Sequence, residues 1–176
     1  MDEPLLKTGQ NVQAALRQEL QTASLYRLYA RAAKAEGYLQ IADYFMQTAD
    51  NELEHAGLLL ELSNRCVPPC TADNLRDAVQ SERQTPYEAF AKQAQADDLP
   101  ETAHLFRSLQ AVEDNHARRF RLLLENIQSG TVFQKSAPQY WVCRICGALH
   151  HGMSAPLVCA VCGFSQACFS LYTEDY

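Results

Sequence analysis

The sequence predicts an all-α four-helix bundle followed by a small four-cysteine metal-binding domain, and three observations predict it. Residues 10–36 and 101–129 contain no Gly or Pro, so each can run as one helix of about 40 Å. Ionisable residues recur at helical spacing on seams that are otherwise apolar. Five of the seven cysteines fall in residues 138–176, at positions 143, 146, 159, 162 and 168.

The helices are expected at about 10–36, 38–64, 73–96 and 100–128. Gly37 is placed to end the first by taking a left-handed conformation. Cys66-Val67-Pro68-Pro69-Cys70 ends the second. Asp97-Asp98-Leu99-Pro100-Glu101 marks a break and a restart, with Asp98 as N-cap and Glu101 as its capping-box partner. Apart from the CVPPC link the connections are short, which favours antiparallel neighbours.

Steps of three and four trace each seam. The first helix gives Val12, Leu16, Glu19, Ala23, Tyr26, Ala30 and Ala33. The second gives Ile41, Phe45, Thr48, Glu52, His55, Leu59 and Leu62. The fourth gives Phe106, Leu109, Glu113, His116, Phe120 and Leu123. Two of these seams carry Glu-x-x-His, a spacing that puts both side chains on one helix face. A core charge must be paired or bound to a cation. Core carboxylates satisfied by Arg or His would have to account for three Glu and two His on three seams that hold no Lys or Arg. Binding of a metal pair accounts for all of them, since a Glu from two helices and Glu-x-x-His from the other two is how bundles build dinuclear sites.

An internal repeat supports this reading. A shift of 61 residues carries Tyr26 onto Tyr87, Ala30 onto Ala91, Ala33 onto Ala94 and Ala42 onto Ala103. It also carries Phe45 onto Phe106, Glu52 onto Glu113 and His55 onto His116. The third helix is irregular. Its seam reads Leu75, Val79, Glu82, Tyr87, Phe90 and Ala94, with one five-residue step beside Pro86, which predicts a kink or a π-bulge. Glu82 is the ligand candidate there, yet the 61-residue shift takes Glu19 to Gln80, so the site is expected to be asymmetric.

Cys143-x2-Cys146-x12-Cys159-x2-Cys162 supplies four thiolates for a tetrahedral ion, Fe or Zn by spacing alone. Gly147 and Gly163 follow the second Cys of each pair, where positive φ would turn backbone N–H groups toward sulfur. Trp141, Phe164, Phe169 and Tyr172 are the expected small core, and residues 129–140 the linker. Domain limits of 1–137 and 138–176 follow.

Composition narrows the function. The net charge is −6, with 33 of the 36 charged side chains in residues 1–137, which argues against a nucleic-acid binder. No apolar run approaches a membrane span, and MDEPLLKTGQN lacks the layout of a signal peptide. A soluble, cytoplasmic protein is expected, in which clustered cysteines bind metal and do not pair as disulfides. Cys66 and Cys70 read as incidental loop thiols and Cys168 as a core filler. His104, His150 and His151 read as solvated, and Arg118-Arg119-x-Arg121 as a solvent face or subunit contact.

The chain resembles the rubrerythrin family over almost its whole length. The matching residues are Glu19…Tyr26…Ala30…Glu36-Gly37-Tyr38, Gln40-Ile41-Ala42 and Asn51-Glu52-x-Glu54-His55-Ala56. Gly130-Thr131-Val132-Phe133, Trp141-x-Cys143-Arg144-x-Cys146-Gly147 and Ala155-Pro156-x-x-Cys159 match as well. The resemblance implies a ferritin-like domain whose two irons reduce hydrogen peroxide to water, and a rubredoxin-like domain holding one iron. It makes Glu19, Glu52, His55, Glu82, Glu113 and His116 the di-iron ligands, with Glu52 and Glu113 bridging. Tyr26 and Tyr87 become tyrosines beside the metals that hydrogen-bond carboxylates and relay protons. Electrons would come from an NAD(P)H-dependent reductase, directly or through a rubredoxin, to a homodimer or larger homo-oligomer with no nucleic-acid or membrane partner. The family has two glutamates three apart on the third helix. Counted from Tyr87 the pair here is Val79 and Glu82; counted from Asn74-Leu75 it is Glu82 and Thr85, so one carboxylate is missing in either register. The alternative activity is a ferroxidase or iron-storage protein, which has no evident use for a one-electron donor on the same chain. A zinc-tailed structural bundle is the non-enzymatic reading.

Overall fold

Gly- and Pro-free sequence becomes long helix. In the computed structural model, which describes residues 3–64 and 70–174, α1 spans Glu3–Ala35 and α2 spans Leu39–Ser63. The backbone forms two compact units, Met1–Cys70 and Thr71–Tyr176. In the first, α1 and α2 pack as a hairpin. Gly37 ends α1 with φ 88°, and the Tyr38 amide reaches back to the Ala33 carbonyl at 2.9 Å, a Schellman closure. Apart from Leu16, the buried residues are small: Ala23, Ala30 and Ala33 on α1, and Ala42, Ala49 and Ala56 on α2. Alanine at these positions lets the backbones approach closely. Near the turn Tyr26, Tyr29 and Phe45 form a three-ring cluster with centroids 5.7 to 6.1 Å apart. Each such ring pair adds about 1 kcal/mol beyond area burial.

The second unit repeats this design. It contains α3 (Thr71–Ser81), α4 (Tyr87–Ala96) and α5 (Pro100–Gln128), with α3 and α4 both packed on α5. Ala91, Ala94, Ala103 and Ala117 are buried at the positions that the 61-residue shift assigns to Ala30, Ala33, Ala42 and Ala56. Tyr87, Phe90 and Phe106 form the matching ring cluster, with centroids 5.7 to 6.4 Å apart. The turn repeats too: Asp98 has φ 57°, and the Leu99 amide bonds to the Ala94 carbonyl at 2.9 Å. Asp98 is therefore the left-handed residue that closes α4, as Gly37 closes α1. The expected N-cap role does not hold. Leu99 occupies that place without a side-chain cap, and Pro100 starts α5 with its φ already set.

The third expected helix is broken, a larger departure than a kink. Leu75, Ala78, Val79 and Glu82 lie 63 residues after Val12, Ala15, Leu16 and Glu19, while Tyr87 lies 61 after Tyr26. Two residues are thus missing between the carboxylate and the tyrosine. At about 100° per residue an unbroken helix would throw Tyr87 to the opposite face. Residues 82–86 instead form a turn, with the Arg83 amide on the Gln80 carbonyl (3.0 Å), Gln84 on Ser81 (3.1 Å) and Tyr87 on Thr85 (2.9 Å). Pro86 then caps α4, where a missing N–H costs nothing.

The C-terminal module is a three-stranded antiparallel sheet of β1 (Gln134–Cys143), β2 (Leu149–Ser154) and β3 (Phe169–Leu171), in the order β2-β1-β3. Its core is Trp141, Cys143, Ala155, Cys159 and Phe169, with Phe133 and Cys168 against it. The Trp141 indole N–H donates to the Gly152 carbonyl at 3.0 Å. Two expectations change here. Phe164 is half exposed and outside the core, because it lies at the knuckle surface, and Tyr172 is only partly buried. The segment read as a linker becomes strand from Gln134 onward. Among the described residues no helix is long and apolar enough to cross a membrane.

Candidate metal centres

Cys143 and Cys146 lie at the end of β1 and in the turn after it, and Cys159 and Cys162 in a second turn joined to it by sheet and core. Their sulfurs all lie within 4.8 Å of one another. Cys143 Sγ is 3.7 Å from Cys162 Sγ, and Cys146 Sγ is 3.7 Å from Cys159 Sγ. A tetrahedral ion with metal–sulfur bonds near 2.3 Å needs sulfur pairs about 3.8 Å apart, so the cage fits one. Gly147 (φ 77°) and Gly163 (φ 75°) have the expected left-handed conformation. Their own amides bond to the Cys143 and Cys159 carbonyls at 2.8 and 2.9 Å. That tight turn releases the next amide: Ala148 donates to the Cys146 sulfur and Phe164 to the Cys162 sulfur.

Electrostatics in the cage favours a cation. The amides of Cys162 and Val161 pull the Cys159 thiol down to about 6, and those of Cys146 and Ile145 lower Cys143. The Cys162 thiol receives the Phe164 amide, yet burial and the thiols of Cys146, Cys159 and Cys143 push it up to about 12. Four thiolates this close cannot all ionise without a positive charge among them. A bound metal supplies it.

The carboxylates and imidazoles gather into two triads. Glu19 of α1 meets Glu52 and His55 of α2, and Glu82 meets Glu113 and His116 of α5, each with ligand atoms within 4.8 Å. In the first, His55 Nδ1 is 3.0 Å from Glu52 Oε2 and 3.7 Å from Glu19 Oε2. In the second, His116 Nδ1 is 3.1 Å from Glu113 Oε2 and 3.4 Å from Glu82 Oε2. Donor set and spacing match, which overturns the expectation of asymmetry. The 61-residue shift misses this because Glu82 precedes the deletion and belongs to the 63-residue register. That register also makes Val79 the counterpart of Leu16, and so a packing residue.

Each triad couples two carboxyl groups. Hydrogen bonding to Glu52 raises the Glu19 carboxyl, and the same bond lowers Glu52. Hydrogen bonding to Glu113 raises Glu82 and lowers Glu113 in the same way. Two oxygen donors and one imidazole suit a hard or borderline divalent ion.

Tyr26 and Tyr87 stand in the two ring clusters, seven residues after Glu19 and five after Glu82 in the chain. Glu88 faces away and pairs with Lys92 at 3.3 Å, both exposed. His104, His150 and His151 are exposed, with the His151 ring 4.6 Å from the Tyr140 ring and tilted 41° to it. Arg118, Arg119 and Arg121 are exposed, and Arg118 bonds to Asn115 at 3.1 Å. Cys70 is exposed, whereas Cys66 lies outside the described residues. The amides that reach sulfur were beyond sequence reasoning except through the glycines that release them.

Residues 10–69 and 73–142 match the family model described as rubrerythrin, and residues 141–170 match the rubredoxin-like domain of rubrerythrin. The chain is similar to rubrerythrin-1 of Clostridium acetobutylicum, 34% identical over 97% of this chain and 96% of that protein. It is 36% identical to a rubrerythrin of Porphyromonas gingivalis over 97% of this chain and 92% of that one. A solved structure of nigerythrin in a mixed-valence state is 28% identical, over 94% of this chain and 86% of that one, with a TM-score of 0.33.

Proposed function

This chain belongs to the rubrerythrin family, and from that premise we propose that it is a peroxidase that reduces hydrogen peroxide to water in defence against oxidative stress. It is an oxidoreductase of the rubrerythrin type, with iron as its metal in both kinds of site. The observation that carries the reading is the presence on one chain of two matched Glu/Glu/His triads and a tetrahedral four-thiol cage. Iron storage has no use for the second.

In this reading Glu19, Glu52 and His55 of one triad and Glu82, Glu113 and His116 of the other would hold the irons of the family's di-iron centre. Bound there, two ions supply electrons to peroxide and stabilise the charge that develops on its oxygens. The residues govern the protons. Reduction of one peroxide to two waters takes two electrons and two protons, and the Tyr26 and Tyr87 hydroxyls are the groups assigned to deliver and regain them. Cys143, Cys146, Cys159 and Cys162 would hold the iron of the rubredoxin-like module, which would accept electrons one at a time. Their source is an external NAD(P)H-dependent reductase, directly or through a rubredoxin. The functional halves are residues 1–137 and 138–176, in a homodimer or larger homo-oligomer in the cytoplasm, where reduced thiols remain free to bind metal.

Metal analysis of anaerobically purified protein, with peroxide turnover measured alongside, tests this. Three irons per chain and rapid peroxide-driven oxidation are expected. One zinc and no turnover would overturn it.

A further inference from the structure

The joint between α5 and the rubredoxin-like module is built as a clamp. α5 closes with Gly130 at φ 68°, its amide on the Ile127 carbonyl at 3.2 Å and the Thr131 amide on the Asn126 carbonyl at 2.8 Å. The Asn126 side chain then takes part a second time. Its Oδ1 accepts from Thr131 Oγ1 at 3.0 Å and from Lys135 Nζ at 3.2 Å, while Lys135 Nζ also donates to the Thr131 carbonyl at 2.7 Å. All three residues are half-buried.

Lys135 supplies what the helix lacks. α5 has no basic residue in its last turn, so the ammonium that complements its negative end comes from β1. Two residues before it, Phe133 packs on the four-cysteine core, and its carbonyl accepts the Ala155 amide at 2.9 Å. Gln166 Nε2 donates to the Ala155 carbonyl. Two sets of hydrogen bonds, joined through the backbone from Phe133 to Lys135, therefore tie the last turn of α5 to the module.

We propose that Asn126 and Lys135 are positioning residues for electron delivery: they clamp the four-cysteine module to α5 in one orientation. The proposal rests on the peroxidase reading for its purpose, while the clamp itself stands on geometry. Any angular play at the joint swings the four-cysteine site by an amount that grows with its distance from the joint. A free linker would leave electron transfer waiting on a search; the clamp removes it.

The test uses the full iron-loaded chain with Asn126→Leu and Lys135→Met, which remove the acceptor and the ammonium, and Asn126→Asp, which keeps the acceptor. Iron content and the visible absorption of the four-cysteine site are expected to stay as in the parent. Amide hydrogen exchange over residues 130–135 should rise roughly tenfold or more in the first two variants. On mixing reduced protein with hydrogen peroxide, reoxidation of the four-cysteine iron should slow several-fold in those two, and Asn126→Asp should restore both readouts. Unchanged exchange overturns the clamp. Faster exchange with unchanged reoxidation overturns its positioning role. If the parent itself shows no peroxide-driven reoxidation, the peroxidase reading falls, and hydrogen exchange still decides the clamp.

Discussion

Glu82 stands to His116 as Glu19 stands to His55: the carboxylate oxygen lies 3.4 Å from the imidazole Nδ1 in one pair and 3.7 Å in the other. The equivalence has direct consequences for metal loading.

Glu82→Ala and Glu19→Ala should have matched effects, each lowering iron from three per chain toward two while the four-cysteine iron stays. Ala is the better helix former, so lost helix stability cannot produce this result. Glu88→Ala, at an exposed residue paired only with Lys92, should leave three. Iron analysis with visible spectroscopy checks all three variants, and a Glu82→Ala protein that keeps three irons would remove Glu82 from the ligand set.

Replacing Cys146 or Cys162 by Ser should abolish the rubredoxin-type absorption and stop turnover driven by NAD(P)H. Chemically reduced protein should still consume one equivalent of peroxide, because the donor is lost and the reactive site is not. Loss of that single turnover in a correctly folded variant would contradict the division of labour between the two kinds of site.

Metal binding should release protons. Glu19 and Glu82 are raised by their hydrogen bonds to Glu52 and Glu113, so in the metal-free chain they hold protons to higher pH than ordinary carboxylates. A metal requires the ionised form, so affinity should rise with pH through that raised range and fall on acidification. Calorimetric titration in buffers of different ionisation enthalpy measures the release. An enthalpy that does not vary with buffer would refute proton release from these carboxyls.

Gly147→Ala and Gly163→Ala force a Cβ into φ near +75°, at a cost of about 1–2 kcal/mol each. The turn can relax only by withdrawing the Ala148 or Phe164 amide from sulfur. Both variants should therefore lose iron to a chelator faster than the parent, and equal release rates would show that the turns are not strained.

Much of this was legible in the sequence because the chemistry is local. Glu-x-x-His and Cys-x2-Cys place their donors by spacing alone, and the alanine repeat marks the hairpin contacts in advance. The equivalence of Glu19 and Glu82 was hidden because a two-residue deletion changes the register between them, and no single shift aligns both the ligand and the ring cluster. Asp98 misled because the same residue type serves as an N-cap or as a left-handed closer, and only the 2.9 Å bond from Leu99 to Ala94 separates the two. Lys135 carried no signal, since its acceptor lies nine positions away, across a helix end.

The turn at 82–86 also sets the compliance of the two triads. In α1, Glu19 and the ring residue Tyr26 ride on one continuous rod, so neither moves without the other. Glu82 and Tyr87 are joined by a turn, which absorbs displacement on one side before it reaches the other. Donor for donor the two triads match, yet one is mounted on a stiff spring and the other on a soft one. An ion held there would meet a carboxylate beside a turn in one triad and a carboxylate inside a continuous helix in the other.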